Sequence, residues 1–237
     1  MRRWVILYIA LTVLSVIFAE DVITSIYDIQ YTTNPGFDGT YPSLYLGQNV
    51  TVEGVVIGIN FEGNRVYISE RRGGPWSGIA IEPIRNHISN GDFIQVTGKV
   101  SEIMGMTVIN HVSNVAILSR NQILPQPVSI SVHEALTSEA YESVLVRLSN
   151  ITCNKLLNGN LIALVSDDTA NINIGNGFNK NINNSLFHVG NTYTQIIGII
   201  NFSHNRFTVH PRNDNDIIPQ TTGIESSSWG RIKSMYR

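Results

Sequence analysis

The sequence predicts an all-β protein made of two small five-stranded barrels in tandem. Two segments of similar pattern support this prediction, Asn90 to Val100 and Val189 to Ile200. Each begins with a glycine beside a polar residue, as in a turn, and continues as an alternating strand with one interior glycine. A glycine inside a strand is typical of a bulge or a sharp bend, which a small closed barrel needs at its corners.

The first 19 residues have the pattern of an export signal. Arg2 and Arg3 precede an uncharged apolar run from Trp4 to Phe18, and Ala19 is a suitable residue before a cleavage site. The run is too short for a comfortable membrane span, which takes about 20 residues. We therefore expect a cleaved signal peptide over 1–19, with a retained anchor as the alternative. No later segment is long and apolar enough to span a bilayer, so we expect a secreted, periplasmic or cell-surface protein.

The charge and cysteine content restrict the function classes. The 237-residue chain has a formal net charge of -2, which argues against a strongly basic nucleic-acid binder but allows a local basic stripe. Cys153 is the only cysteine, so no internal disulfide can form. We expect Cys153 to be a small buried hydrophobe in a strand rather than a reactive thiol.

The first barrel is expected over 46–120, after a lead-in segment and loop over 20–45. Its strands are apolar or alternating runs between turn residues. They are Val50–Val56, Arg65–Ser69, Gly78–Glu82, Asp92–Val100, and Met106–Ile109 with Val115–Leu118. A short helix over 84–89 is expected to close one end, as in five-stranded barrels of the oligonucleotide/oligosaccharide-binding (OB) class.

The second barrel is expected over 141–220, after a linker over 121–140. Within the linker, Ser131 and Glu134 have the spacing of a capping box, which predicts a brief helix over 132–138. The strands of this barrel are Val144–Leu148, Leu161–Ser166, Asn171–Ile174, Tyr193–Ile200 and Arg206–His210. The Asn- and Gly-rich loop over 175–185 is predicted to be mobile. The segment over 221–237 is read as a flexible tail, either a sorting or anchoring tag or simply disordered.

Four segments of the first barrel resemble a known group. Leu46 to Val56, Tyr67 to Glu70 with Ser77 to Ile81, and Gly91 to Val100 resemble, in this order, the OB-fold domains of exported bacterial proteins. Such domains are often found beside extracellular nucleases. The resemblance implies a nucleic-acid-binding accessory module, and it implies no particular set of ligand residues, because one fold serves many functions.

A candidate ligand site follows from the outer face of the second predicted strand. Binding of a single strand needs aromatic faces for base stacking and Lys or Arg along the backbone track. Alternation turns Val66 and Ile68 inward and leaves the residues beside them outside. We predict a site made of Arg65, Tyr67, Arg71, Arg72 and Trp76. The alternative is an ordinary exposed loop, with Trp76 packed over the end of the barrel.

Catalytic motifs are absent from the sequence. It contains no nucleophile elbow, zinc-protease motif or phosphate-binding glycine loop, so we expect no enzyme activity. His204, His210, Asp214 and Asp216 contain ligand atoms suited to a metal, but their spacing matches no established ligand pattern. We predict a solvated hairpin turn there, and neither a metal nor a cofactor.

These observations predict an exported, non-catalytic binding module whose leading ligand is single-stranded DNA or RNA. The alternatives are a carbohydrate-binding or surface-adhesion module, because the same barrel face binds oligosaccharides, and a structural spacer. The resemblance favours nucleic acid, whereas the acidic net charge favours the alternatives.

Overall fold

The structure is a computed structural model that describes residues 22–37, 39–62, 64–84 and 87–220. The expected signal peptide over 1–19 and the expected tail over 221–237 lie outside these residues. The described chain is almost entirely β-structure and forms two closed five-stranded barrels, which confirms the predicted fold class. No helix in the described ranges has the length and apolar character of a bilayer span.

Barrel 1 is built from the first five strands. They are β1 (Asn49–Ile59), β2 (Val66–Ser69), β3 (Gly78–Ile81), β4 (Phe93–Ile103) and β5 (Met106–Ser119). They close in the order β1-β2-β3-β5-β4, with β3 and β5 parallel and the other neighbours antiparallel. This is the OB arrangement. Gly98 provides the expected bend, because a Cβ atom there would lie 2.6 Å from Ile109 and 2.7 Å from the carbonyl of Asn110.

Barrel 2 repeats this arrangement. Its strands are β7 (Leu145–Leu156), β8 (Leu161–Ser166), β9 (Asn171–Gly175), β10 (Thr192–Ser203) and β11 (Arg206–His210). The parallel pair is β9 with β11, and β10 pairs with β7 to close the barrel. Two short strands, β6 (Val128–Ser129) and β12 (Ile217–Pro219), add to it at β7 and β10. Cys153 is fully buried in its core, as predicted.

A short helix precedes the first strand of each barrel. These helices are α1 (Ile26–Gln30), capped by Ser25, and α2 (Val132–Thr137), capped by Ser131. The capping box of α2 is present as predicted. Ile26 and Ile29 of α1 are fully buried in the core of barrel 1, and Val132 and Ala135 of α2 are fully buried in the core of barrel 2.

The predicted helix over 84–89 is wrong for the residues that the structure describes there. Residues 84 and 87–89 are not helical. Ile84 still enters the core of barrel 1, where it is 3% exposed. Ile26 and Ile29 of α1 also lie in this core, and Ile88 is partly buried against it.

The two barrels pack against each other through a third apolar cluster. Its buried members are Ile57, Tyr67, Ala80, Met106 and Val108 of barrel 1 with Leu145, Ile199 and Phe202 of barrel 2. Gly78 of β3 makes a close backbone approach, because a Cβ atom there would lie 2.1 Å from the carbonyl oxygen of Ser143. The outer face of β2 and β3 is therefore an interface between the barrels.

The loop between β9 and β10 takes part in this packing. Ile182 is fully buried in the core of barrel 2. Phe178 meets Tyr67 edge to face, with ring centroids 5.1 Å apart. The expectation of a mobile loop over 175–185 does not fit these contacts, since apolar anchors from both barrels hold the segment.

Candidate functional site

The structure divides the five predicted site residues into two groups. Arg65 and Tyr67 lie at the junction of the barrels, whereas Arg71, Arg72 and Trp76 lie in the loop between β2 and β3. The division arises because barrel 2 covers the outer face of β2. That contact involves residues far apart in sequence, which strand alternation does not reveal.

Tyr67 faces outward from barrel 1, as predicted, but its ring is not open to a ligand. It is 3% exposed, and its hydroxyl donates a hydrogen bond of 2.9 Å to Oδ1 of Asn201 in β10. Burial raises the pKa of this hydroxyl. The prediction that Tyr67 stacks on a base is therefore wrong for this packing, because Phe178 and barrel 2 occupy the space.

Arg65 is engaged in an ion pair with Glu82. Its Nε donates to Oε2 of Glu82, and the two side chains are 24% and 20% exposed. Although burial acts in the opposite direction, the hydrogen bond to Glu82 helps to raise the pKa of Arg65. A guanidinium that is already neutralised by a carboxylate is a weak phosphate ligand, so Arg65 does not fit its predicted role.

The loop between β2 and β3 is compact. The N–H of Glu70 donates to the carbonyl of Ser77 at 2.9 Å, and the N–H of Gly73 donates to the carbonyl of Glu70 at 2.9 Å. Trp76 has a φ of 64°, which is uncommon for a residue other than glycine. Its N–H donates to the carbonyl of Ala140 at 2.6 Å, so the linker before barrel 2 holds this conformation.

Two tyrosines that the sequence analysis did not select lie beside this loop. Tyr27 and Tyr31 are each 43% exposed, and their rings stack with centroids 5.3 Å apart. Tyr31 also meets Trp76 edge to face at 5.5 Å. The N–H of Tyr27 donates to Oε1 of Glu70 at 3.0 Å, which fixes α1 against the loop. The sequence could have indicated this pair, because two tyrosines four residues apart lie on the same face of a helix.

The two arginines of the loop are exposed. The guanidinium carbon of Arg71 lies 3.7 Å from the centre of the Phe93 ring, and its Nη1 donates to Oε1 of Gln122 at 2.8 Å. Arg71 and Arg72 line a groove of about 430 Å³ against the linker residues 122–126. We call Tyr27, Tyr31, Arg71, Arg72 and Trp76 the loop surface.

The histidines and aspartates near the end of barrel 2 have structural partners. Asp216 receives two hydrogen bonds of 2.9 Å from the guanidinium of Arg212. Nδ1 of His210 accepts from the N–H of Gly177 at 3.0 Å, and burial lowers the pKa of His210 to about 4. In the part of the chain that the structure describes, no three His, Cys, Asp or Glu side chains are grouped to hold a metal ion.

No protein-family model matches the chain, and no curated protein matches it in sequence. One similar solved structure is a murine DNA-binding protein bound with double-stranded DNA, at 8% identity over 68% of this chain and 92% of that one, TM-score 0.35. Another is the Ifi202 HINa domain in complex with 20-bp double-stranded DNA, at 14% identity over 74% and 96%, TM-score 0.34. A third is a Leishmania major protein assigned as an aspartyl-tRNA synthetase, at 9% identity and TM-score 0.31.

These likenesses are too weak to identify a family or a ligand. The match to the synthetase covers 48% of this chain and only 24% of that protein. The TM-scores of the three structures do not exceed 0.35, and their identities do not exceed 14%. None of them supports the expected relation to exported bacterial proteins that accompany nucleases.

Proposed function

We propose that the chain is an exported, non-catalytic module that binds single-stranded nucleic acid through the loop surface. The observation that supports this best is the combination of two exposed arginines with three neighbouring aromatic residues at one end of barrel 1. Guanidinium groups neutralise backbone phosphates, and aromatic rings stack on bases of any sequence. A single strand offers both its phosphates and its base faces, whereas a duplex hides the base faces.

The loop surface is held in place by contacts within the protein. Arg71 is positioned by Phe93 and Gln122, and the stack of Tyr27 on Tyr31 is fixed by the bond of α1 to Glu70. Groups that are already ordered lose less conformational freedom on binding. Within the described ranges, Arg72 has no ion-pair partner, so its charge is available to a phosphate.

The direct test is fluorescence anisotropy of a labelled oligothymidylate with the full chain at about 50 and 200 mM salt, where phosphate contacts weaken steeply. Replacing both Arg71 and Arg72 by Ala removes two phosphate contacts. We expect roughly tenfold weaker binding and a salt slope reduced by roughly 1.4, since each contact to a single strand contributes roughly 0.7. Tyr27→Ala tests stacking separately and should weaken binding by about 1–3 kcal/mol.

A matched control removes two exposed cations from barrel 2. Lys155→Ala with Arg206→Ala changes the net charge by the same amount, far along the chain from the loop surface. This control should retain most of the affinity. Equal losses in the two double variants would mean that only the overall charge matters. Absence of binding at both salt concentrations would refute the nucleic-acid proposal and leave the glycan and spacer alternatives.

A further inference from the structure

A second concave site lies between the two barrels, apart from the loop surface. It is a cleft of about 310 Å³, at the lower end of the usual range for small-molecule sites. Barrel 1 contributes the turn between β1 and β2 together with Glu82. Barrel 2 contributes Asn160, Asn201 and His210 from its strands and turns, and Gly177 and Phe178 from the loop between β9 and β10.

The walls of the cleft are joined by hydrogen bonds across the barrels. The N–H of Phe61 in barrel 1 donates to the carbonyl of Gly177 in barrel 2 at 3.0 Å. Gly58 allows the walls to approach, because a Cβ atom there would lie 2.5 Å from Ile199 and 2.7 Å from Phe178. The cleft is thus a product of the packing between the barrels.

Four of the polar side chains that line the cleft are amides, those of Asn60, Asn64, Asn160 and Asn201. Nδ2 of Asn60 donates to Oδ1 of Asn64 at 2.8 Å, so these two are partly engaged with each other. The amide oxygen of Asn201 accepts from Tyr67, but its amide nitrogen has no hydrogen-bond partner among the described residues. An amide offers both donors and an acceptor, which is the combination that a hydroxyl group needs.

The charges of the cleft disfavour an anionic ligand. Among the described residues that line it, Glu62 and Glu82 are acidic, and the cationic Arg65 is already paired with Glu82. The nearby Lys180 lies 4.1 Å from the centre of the Phe61 ring, over its face. The lining side chains provide two carboxylates and one guanidinium, so they repel a phosphate or sulfate more than a neutral ligand, which would meet amides and aromatic rings.

We propose that this cleft binds one residue of a neutral sugar. Its hydroxyl groups would pair with the amides and with the Arg65–Glu82 pair, and its apolar face would lie against Phe61 or Phe178. The site uses different residues from the loop surface and is independent of nucleic-acid binding.

The test is binding of the full chain to an array of neutral, sulfated and phosphorylated oligosaccharides, followed by titration of the best neutral binder. Asn160→Trp places a large ring at the exposed rim of the cleft, where it blocks entry without disturbing a core. Asn158→Trp places the same ring two residues away in the same turn, on a side chain that does not line the cleft. We expect Asn160→Trp to weaken binding at least about tenfold, and Asn158→Trp to bind like the wild type.

Three results would overturn this inference. They are no binding to any neutral oligosaccharide on the array, equal binding by the Asn160→Trp variant, and binding limited to sulfated or phosphorylated glycans. The double variant of Arg71 and Arg72 should bind the sugar normally. The double variant should therefore lose affinity only for nucleic acid, and Asn160→Trp should lose affinity only for the sugar, so the two proposals can fail separately.

Discussion

Replacing Gly78 by Ala should separate the two barrels. The new Cβ atom would lie 2.1 Å from the carbonyl oxygen of Ser143 and 2.5 Å from its carbonyl carbon. Ordinary contact begins at 3.4 Å, so one backbone has to move by about 1.3 Å. Ser143 cannot yield easily, because its N–H donates to the carbonyl of Ile200 in β10 at 2.8 Å and its φ is 59°.

The expected cost is about 3 kcal/mol in the free energy of unfolding, at the upper end of the usual overpacking range because the clash is between backbones. Urea unfolding of the full chain measures it. In a Trp4→Phe, Trp229→Phe background, Trp76 is the only tryptophan and reports on its contact with Ala140 in the linker. We expect its emission to shift to the red, and the single transition to split as the barrels lose their coupling.

Two other glycine replacements serve as controls. Gly98→Ala clashes with Ile109 and Asn110, entirely within barrel 1, so it should lower stability without shifting the emission of Trp76. The nearest atoms to a Cβ atom at Gly58 are side-chain atoms of Ile199 and Phe178 rather than backbone, so Gly58→Ala should cost less, nearer about 1 kcal/mol. The packing argument fails if Gly78→Ala stays within about 0.5 kcal/mol of the wild type and its emission is unchanged.

Three further changes test the junction and the cap of α2. Burial and the nearby Glu102 raise the pKa of Glu139 to about 8, and that of Glu142 is raised as well. The folded state therefore holds protons that the unfolded chain releases near 4.5, which lowers stability as the pH rises toward 8, whereas His210, with its lowered pKa of about 4, acts in the opposite direction up to about pH 6.5. From about pH 6.5 to 8, Tm should therefore fall as the pH rises, and less steeply in Glu139→Gln. Tyr67→Phe leaves Oδ1 of Asn201 without its partner and should cost about 1–2 kcal/mol in urea unfolding. Ser131→Ala removes a cap and should cost about 1 kcal/mol, measured as a lower Tm.

Most of the fold could be predicted because local pattern decides it. The five strands of each barrel follow from alternation between turn residues, and the capping box of α2 follows from Ser131 and Glu134. The helix predicted over 84–89 is wrong at the described residues, because it relied on the usual position of a helix in this class of barrel. The apolar residues of α1, Ile26 and Ile29, occupy part of the core instead.

The candidate site could be predicted only in part. Arg71, Arg72 and Trp76 are neighbours in sequence and share one loop, so local reasoning places them together. The alternation of apolar residues along β2 correctly predicted that Tyr67 points out of barrel 1. Its burial, however, depends on barrel 2, whose five strands begin more than seventy residues further along the chain. The contribution of α1 to the loop surface likewise depends on tertiary packing, here the bond from Tyr27 to Glu70.

The tandem arrangement itself limits where a ligand can bind. In barrel 1 the outer face of β2 and β3 is covered, since Gly78 touches Ser143 and Tyr67 is buried. The equivalent face of barrel 2 carries Asn154, which donates to Ser166 at 2.8 Å and to Asn171 at 2.7 Å. That amide network provides neither the aromatic faces nor the cations that a nucleic acid requires. Among the described surfaces, the loop surface brings aromatic rings together with two exposed arginines, so we expect a nucleic acid to bind there rather than on the outer face of β2 and β3.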